Sequence, residues 1–408
     1  MLSIKQFLAL RPQIRALVFL FWIYSFAGSA AGIFIHIYLY QFFNSVSFNI
    51  IFSALGFTGC MIGFCGFGAA IARFRLNAKH GFLLSFLFSG TGLFLLPFMQ
   101  GMPGACAAVM IRGIGTGLFW LTIHTYELSE TRDEERDVYS TFLSAGQQLI
   151  ILIAPAFAIL LIWLSHRLGW SEFALLFGIT PLVYLPGFAF FGALPAYRPE
   201  PLKKHDLVHF VSDRRNQVSQ LYIGGGAVNH IMQQILGPLA AITVLGTALN
   251  VGGFNMLFAI AGVLVLLAAG TRRHPRNRLA FLRLSSIILA AFNVMLGASL
   301  TLVTLVIYNI GMSVMQPVMR VSQHVIDLQT MDAAGHRESD FYPTMILRDF
   351  SLWVWRMAGA LTLLAAVSLA GTGREAISAG MFLIAGTFIF MYAGARLLLP
   401  AGRGKSIV

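Results

Sequence analysis

Two arginines stand where a charge is expensive. Arg112 and Arg356 lie in the middle of long apolar runs, and a charge at the centre of a membrane costs at least about 2.5 kcal/mol unless protein, water or a counter-ion receives it. The guanidinium is a planar fork of donors that fits a carboxylate or phosphate in two-point fashion. No Asp or Glu lies equally deep, because Glu127 and Asp349 fall near the ends of their runs. The chemistry this suggests is electrostatic: holding the anionic group of a solute. The competing role for either arginine is structural, satisfying helix carbonyls or closing a gate.

Neutral polar residues add to this. Asn229, His230, Gln233 and Gln234 fall at i, i+1, i+4 and i+5, which covers about 140° of one helix face. Such a stripe is hard to place in lipid and suits a cavity wall or a seam between helices. Tyr308 and Asn309 form a second candidate, with Gln316 seven residues beyond Asn309. The glycines Gly224, Gly225 and Gly226 are expected to let their helix bend. His36, His124 and His230 are the groups at depth that can titrate near neutral pH. Each is a candidate carrier of a coupled proton, and each has a simpler reading as a hydrogen-bonded packing residue.

Other chemistry is missing. Cys60, Cys65 and Cys106 lie in apolar segments without CxxC spacing or metal-ligand partners, so they read as buried thiols and no cofactor or metal is expected. No G-x-x-x-x-G-K-[ST] run marks an ATPase. The charged cluster from Glu127 to Asp137 reads as solvated charge that pairs with the basic 73–79 loop.

The elements that must carry these residues follow from composition. Of 408 residues, 57% are hydrophobic and 11% are charged, against about 25% charged in an ordinary domain. That excludes a soluble protein. Apolar windows of at least about 18 residues recur near 15–40, 48–72, 81–100, 103–127, 138–165, 172–195, 217–246, 249–270, 279–297, 300–325, 343–370 and 375–400. The first follows basic residues but is too long for a signal-peptide core, so it is expected to remain as a span. The 279–325 stretch is too long to cross once and is expected to break near Gly297-Ala298-Ser299.

The net charge of +12 would suggest nucleic acid in a soluble protein. Here 24 of the 28 Lys and Arg residues fall on one side of the spans and two on the other, with Arg112 and Arg356 between. By the positive-inside rule both termini are expected in the cytoplasm, and nucleic acid drops out as a partner. The expected division is an N-terminal six-helix half (1–195), a basic cytoplasmic linker (196–216) and a C-terminal six-helix half (217–408). A trace of repetition supports it: Glu135, Asp137, Tyr139 and Thr141 recur as Glu338, Asp340, Tyr342 and Thr344 at an offset of 203.

At this point the chain resembles the major facilitator superfamily of secondary transporters, across all twelve expected spans. After the second span that family carries G-x-x-x-D-R-x-G-R; here Gly68, Arg73 and Arg75 stand in place, with Ala72 at the acidic position. The fourth-span R-x-x-x-G-x-G is partly kept as Arg112-Gly113-Ile114-Gly115-Thr116-Gly117. The run from Tyr342 through Arg348-Asp349 to Arg356 is similar to a pattern of a bacterial branch, with Asp for Glu and Trp355 for Gly. The resemblance implies an all-α integral membrane protein with twelve transmembrane helices in two parallel six-helix repeats. It also implies a cavity lined by the first, fourth, seventh and tenth helices, on which His36, His124, His230, Tyr308 and Asn309 all fall.

The expected function is secondary active transport, as symporter or antiporter, of a small anionic or zwitterionic organic solute by alternating access. The site would comprise Arg112, His124, Asn229, His230, Gln233, Gln234, Tyr308, Asn309 and Arg356, with Arg73, Arg75, Asp137, Asp340 and Asp349 as gating residues. A multidrug efflux carrier and a transport-inactive sensor or assembly factor are the alternatives, and the missing acid at Ala72 motivates the last. A lipid bilayer, a small-molecule substrate and a coupling proton or sodium ion are the expected partners of a monomer, not an enzyme, in a bacterial inner membrane.

Overall fold

The computed structural model describes residues 4–99, 101–131, 133–199, 208, 210–212, 214–269, 278–334, 341–371 and 373–398. Every element among them is helical. After a short turn of helix at Ile4–Ala9, the helices are α1 Pro12–Phe43, α2 Val46–Arg73, α3 His80–Leu95, α4 Gly101–Glu130, α5 Asp133–Arg167 and α6 Ala174–Ala193. They continue as α7 Arg214–Leu245, α8 Ala248–Ala269, α9 Arg278–Ala298, α10 Leu302–Ala334, α11 Phe341–Ala370 and α12 Gly373–Leu398. Nine of these described helices are long and apolar enough to cross a membrane, and the shorter apolar helices His80–Leu95, Ala248–Gly262 and Leu302–Gln316 complete twelve. The long 279–325 stretch breaks between Ala298 and Leu302, where its length requires a break.

Local chemistry sets the boundaries. Pro12 opens α1 at a position whose amide has no helical partner to lose. Asn44 closes it at φ 47°, and its amide returns to the Tyr40 carbonyl at 2.8 Å. Ser45 then caps α2 by accepting the Phe48 amide at 3.1 Å. Gly246 and Gly371, at φ 79° and 83°, follow the ends of α7 and α11 and take the left-handed conformation that side-chain-bearing residues avoid. Two helices depart from regularity. Residues Ile62–Gly66 of α2 form a π-helical turn, and Thr180–Ala193 of α6 tightens to 3-10 geometry. In α6, Pro181 and Pro186 withdraw amides from the i→i−4 ladder.

The chain forms two compact units. The first contains Met1–Leu202 together with Leu245–Ile260 and Met345–Phe350; the second contains Lys203–Val244, Ala261–Thr344 and Ser351–Val408. Inside the first, α4 packs against both α2 and α3. Inside the second, α9 packs against α10 and α12, and a buried hydrogen bond of 2.7 Å joins Asn229 Nδ2 on α7 to the Thr387 hydroxyl on α12.

The glycines of α7 correct one expectation. α7 runs unbroken from Arg214 to Leu245, and a Cβ at Gly224 would lie 2.6 Å from the Trp355 ring, while one at Gly225 would lie 2.8 Å from the Met391 backbone. These two glycines permit close packing rather than a bend.

Candidate functional site

The first unit is built around α4, and its glycines explain how. Gly117 lies so near the α2 backbone that a Cβ there would come within 2.6 Å of the Phe64 amide nitrogen, and Gly115 abuts Ser89 on α3 in the same way. α2 and α3 press onto these positions, and α3 also reaches the root of Arg112, where a Cβ at Gly92 would lie 2.6 Å from the Arg112 Cβ; the adjoining face carries Arg112, Thr116, Trp120 and His124. These four recur every four residues, so they stay within about 120° of one another. All four are half-buried.

Arg112 holds no ion pair among the described residues; the carboxylate nearest to it along α4, Glu127, pairs with His124. Its charge acts on Tyr24 and His36 of α1 and on Tyr184 of α6. Tyr24 spans the two helices: its hydroxyl donates to the Thr116 hydroxyl at 2.9 Å, and its ring stacks on Phe119 with centroids 3.7 Å apart and planes 7° off parallel. Tyr184 lies beside it, 5.9 Å between ring centroids. The Arg112 guanidinium and the Tyr184 phenol thus share one region, a pairing of donors suited to an oxyanion, with the Tyr24 proton already given to Thr116.

Further along the same face, His124 Nδ1 lies 2.8 Å from Glu127 Oε2. Glu127 Oε1 accepts the Tyr139 hydroxyl from α5, also at 2.8 Å. Tyr139 precedes the apolar span that begins at Ala145. Burial first, and the Glu127 carboxylate second, hold its hydroxyl well above the usual phenol range, so it stays a donor. The expectation that Glu127 belongs to a solvated cluster is therefore corrected: α5 folds back over it and supplies a phenol. Arg11, at the head of α1, binds the Glu130 carbonyl one turn on.

In the second unit, Gln316 Nε2 donates to Gln233 Oε1 at 3.1 Å, joining α10 to α7, and the Gln233 amide nitrogen is buried without a partner. Gln234 is half-buried and His230 exposed. Asn229 is committed to Thr387, and Asn309 donates to the Leu305 carbonyl of its own helix at 2.9 Å, leaving its carbonyl oxygen for another group. Tyr308 is buried, and Arg356 half-buried on α11.

His36 is 3% exposed, with Nδ1 3.2 Å from Asn49 Oδ1 across the α1–α2 junction. Of the gating candidates, Arg73 and Arg75 are exposed, and Ala72 beside them is wholly buried. Asp349 acts electrostatically on Cys65, whose thiol donates to the Ile346 carbonyl at 3.4 Å. Asp137 stands in the first turns of α5, and Asp340 lies outside the described residues. Sequence reasoning passed over Thr116, Trp120, Glu127 and Tyr139 as site residues. The four-residue spacing from Arg112 was the signal for Thr116 and Trp120; the reach of Tyr139 to Glu127 depends on tertiary packing.

Nine helices long and apolar enough to cross a membrane and three shorter apolar ones, with polar faces on α4 and α7, define a polytopic membrane protein. The sequence profile of the Major Facilitator Superfamily matches residues 17–326. The chain belongs to that family of secondary transporters and is a multi-pass membrane protein. No curated protein sequence matches it. Among solved structures it is similar to the nucleoside transporter NupG, with TM-score 0.65 and 11% identity over 96% of this chain and 100% of that one. It is also similar to the human organic anion transporter MFSD10 (TETRAN), with TM-score 0.61 and 15% identity over 94% and 99%. A bacterial homologue of the human lysosomal transporter Spinster gives 0.62 and 11% over 97% of each chain. At these identities the likeness is one of fold.

Proposed function

We propose that the protein carries a small organic solute, anionic or zwitterionic, across the cytoplasmic membrane by alternating access. The observation that carries this reading is Arg112: a half-buried cation in the middle region of α4, without an ion pair among the described residues. Exporters of lipophilic cations commonly use an intramembrane carboxylate to receive their cargo, because a cation leaving water is costly without an opposite charge, and the α4 face presents a guanidinium instead. The phenol of Tyr184 adds an uncharged donor in the same region, whereas the Tyr24 proton is committed to Thr116. The second unit carries a separate polar stripe on α7, Asn229, His230, Gln233 and Gln234. That a carrier of this fold is described as an organic anion transporter is in keeping with the reading.

The second reading is a transporter-like sensor that moves nothing, favoured by Ala72 at the position where the family carries an acid. Flux separates the two. Purified protein in liposomes is expected to accumulate organic anions or zwitterions from a mixed panel and to ignore permanent lipophilic cations. Accumulation of the cations would overturn the electrostatic reading, and no flux of any compound would favour the sensor.

A further inference from the structure

Holding an anion at Arg112 makes no use of the other end of the α4 face. There the imidazole of His124 is fixed on two sides. Its Nδ1 lies 2.8 Å from Glu127 Oε2, and its ring lies 5.3 Å from the Trp120 ring with planes 29° apart. Glu127 is fixed in turn from a second helix, because its Oε1 accepts the Tyr139 hydroxyl at 2.8 Å. An exposed His–Glu pair on one helix would be a weak surface contact. Here the carboxylate is braced by a buried phenol, while the His124 side chain remains 39% exposed and Glu127 25%. With the Nδ1 proton committed to the carboxylate, a neutral His124 keeps its lone pair on Nε2.

We propose that His124 is the proton-carrying residue of this transporter, taking up and releasing a proton at Nε2, with Glu127 and Tyr139 as positioning residues that fix its tautomer. The proposal rests on the anion-carrier reading above. In the step itself a proton from water forms an N–H bond at Nε2, and no other bond of the protein breaks. The His124–Glu127 pair goes from a charge of −1 to zero. Arg112 stands on the same face, twelve residues away or about 18 Å at the helical rise. The three groups together therefore go from zero to +1, and a bound monoanion returns them to zero. Proton and anion then travel together, since each lowers the electrostatic cost of the other. Among the described residues, the charged and titratable groups on or near His124 include Glu127 and Glu130 on its own helix, Tyr139 on α5, and Arg11 at the head of α1, bound to the Glu130 carbonyl. His36 differs: it is buried, and its Nδ1 faces a neutral amide.

The test has two arms on the full chain. In detergent, with ¹⁵N-labelled histidine, the His124 signal is identified by its loss in His124→Asn and followed from pH 5 to 9. The neutral ring of the wild type is expected to show a single Nδ1–H tautomer. Glu127→Gln should keep that tautomer, because the amide oxygen still accepts from Nδ1, whereas Glu127→Ala should lose it. Tyr139→Phe should let both tautomers appear, an effect that a merely structural role for the phenol would not produce. In liposomes with a trapped pH dye, uptake of benzenesulfonate, gluconate or taurine should carry protons in the same direction, and His124→Asn should lose that proton movement. Probe uptake without protons, or a His124 signal that does not titrate, overturns the proposal and leaves the carrier reading standing. If the wild type moves none of the probes, the anion reading fails and the titration alone decides the proton site.

Discussion

The Tyr24 hydroxyl on α1 donates to the Thr116 hydroxyl on α4 at 2.9 Å, and Thr116 in turn donates to the Arg112 carbonyl at 3.1 Å. A phenol from one helix is thereby fastened one turn away from the charged residue of another. Ring stacking on Phe119 sets its plane, so the hydroxyl is pre-aimed rather than flexible. Tyr24→Phe keeps the stacking and loses the bond, and should cost about 1 kcal/mol of stability. Thr116→Val removes both bonds and should cost more. Thermal unfolding in detergent checks the order, and a Tyr24→Phe protein as stable as wild type would show that this bond contributes nothing.

Close helix approach makes a second, opposite pair of expectations. At Gly117 a methyl group would press on the backbone of α2, whereas at Gly28 nothing lies within 4 Å of the added carbon. Gly117→Ala should therefore destabilise by about 1–3 kcal/mol through overpacking. Gly28→Ala, in the interior of α1, should be neutral or stabilise by up to about 1 kcal/mol through the unfolded chain. Midpoints of thermal unfolding for the two variants should fall on opposite sides of the wild type, and two equal losses would contradict the packing argument.

How much of this was legible in the sequence depends on range. Hydropathy and length locate the apolar helices because lipid-spanning segments impose a period and a minimum run, and the break between Ala298 and Leu302 follows from the same constraint. The i, i+3 relation of His124 and Glu127, and the four-residue repeat from Arg112 to His124, are likewise written along the chain. Tyr139 is not. It stands twelve residues beyond Glu127, on another helix, and only the turn between α4 and α5 makes the two meet. Gly224 shows the same limit, since a glycine that admits Trp355 and a glycine that bends a helix look alike until the neighbouring helix is in place. In α6 the two prolines did announce the irregular geometry, whereas its mean apolarity announced only a span.

Between α5 and α6, Glu172 lies 3.8 Å from His166. Burial raises its carboxyl above the ordinary 4.5, and the histidine partly opposes the shift. The folded value exceeds the unfolded one, so the favourable contribution is complete below about pH 4.5 and is lost as pH rises through the folded value. At pH 7 the wild type therefore holds a partly desolvated charge that glutamine would not. Glu172→Gln should raise the unfolding temperature at pH 7, with the two proteins converging as pH approaches 4.5. A difference of the same size at both pH values would mean that the carboxyl is not the cause.

Arg112 bears the sharpest expectation. If its guanidinium holds the solute's anionic group, Arg112→Ala should weaken solute binding by at least about 10-fold, with the protein still folded in detergent. Arg112→Lys should keep part of the affinity, because charge survives while two-point geometry is lost. A gating arginine would behave differently: Arg112→Ala would bind solute normally and stay trapped with one side accessible, which cysteine labelling from each side of the membrane can read. The distinction also reaches charge selectivity. Losing a charge-assisted hydrogen bond costs about 1.5–3 kcal/mol, which is roughly 10-fold to 150-fold in affinity, so a neutral analogue of the solute should bind the wild type that much more weakly and be nearly indifferent to Arg112→Ala. If anion and neutral analogue lose affinity equally in Arg112→Ala, the residue shapes the cavity without reading charge.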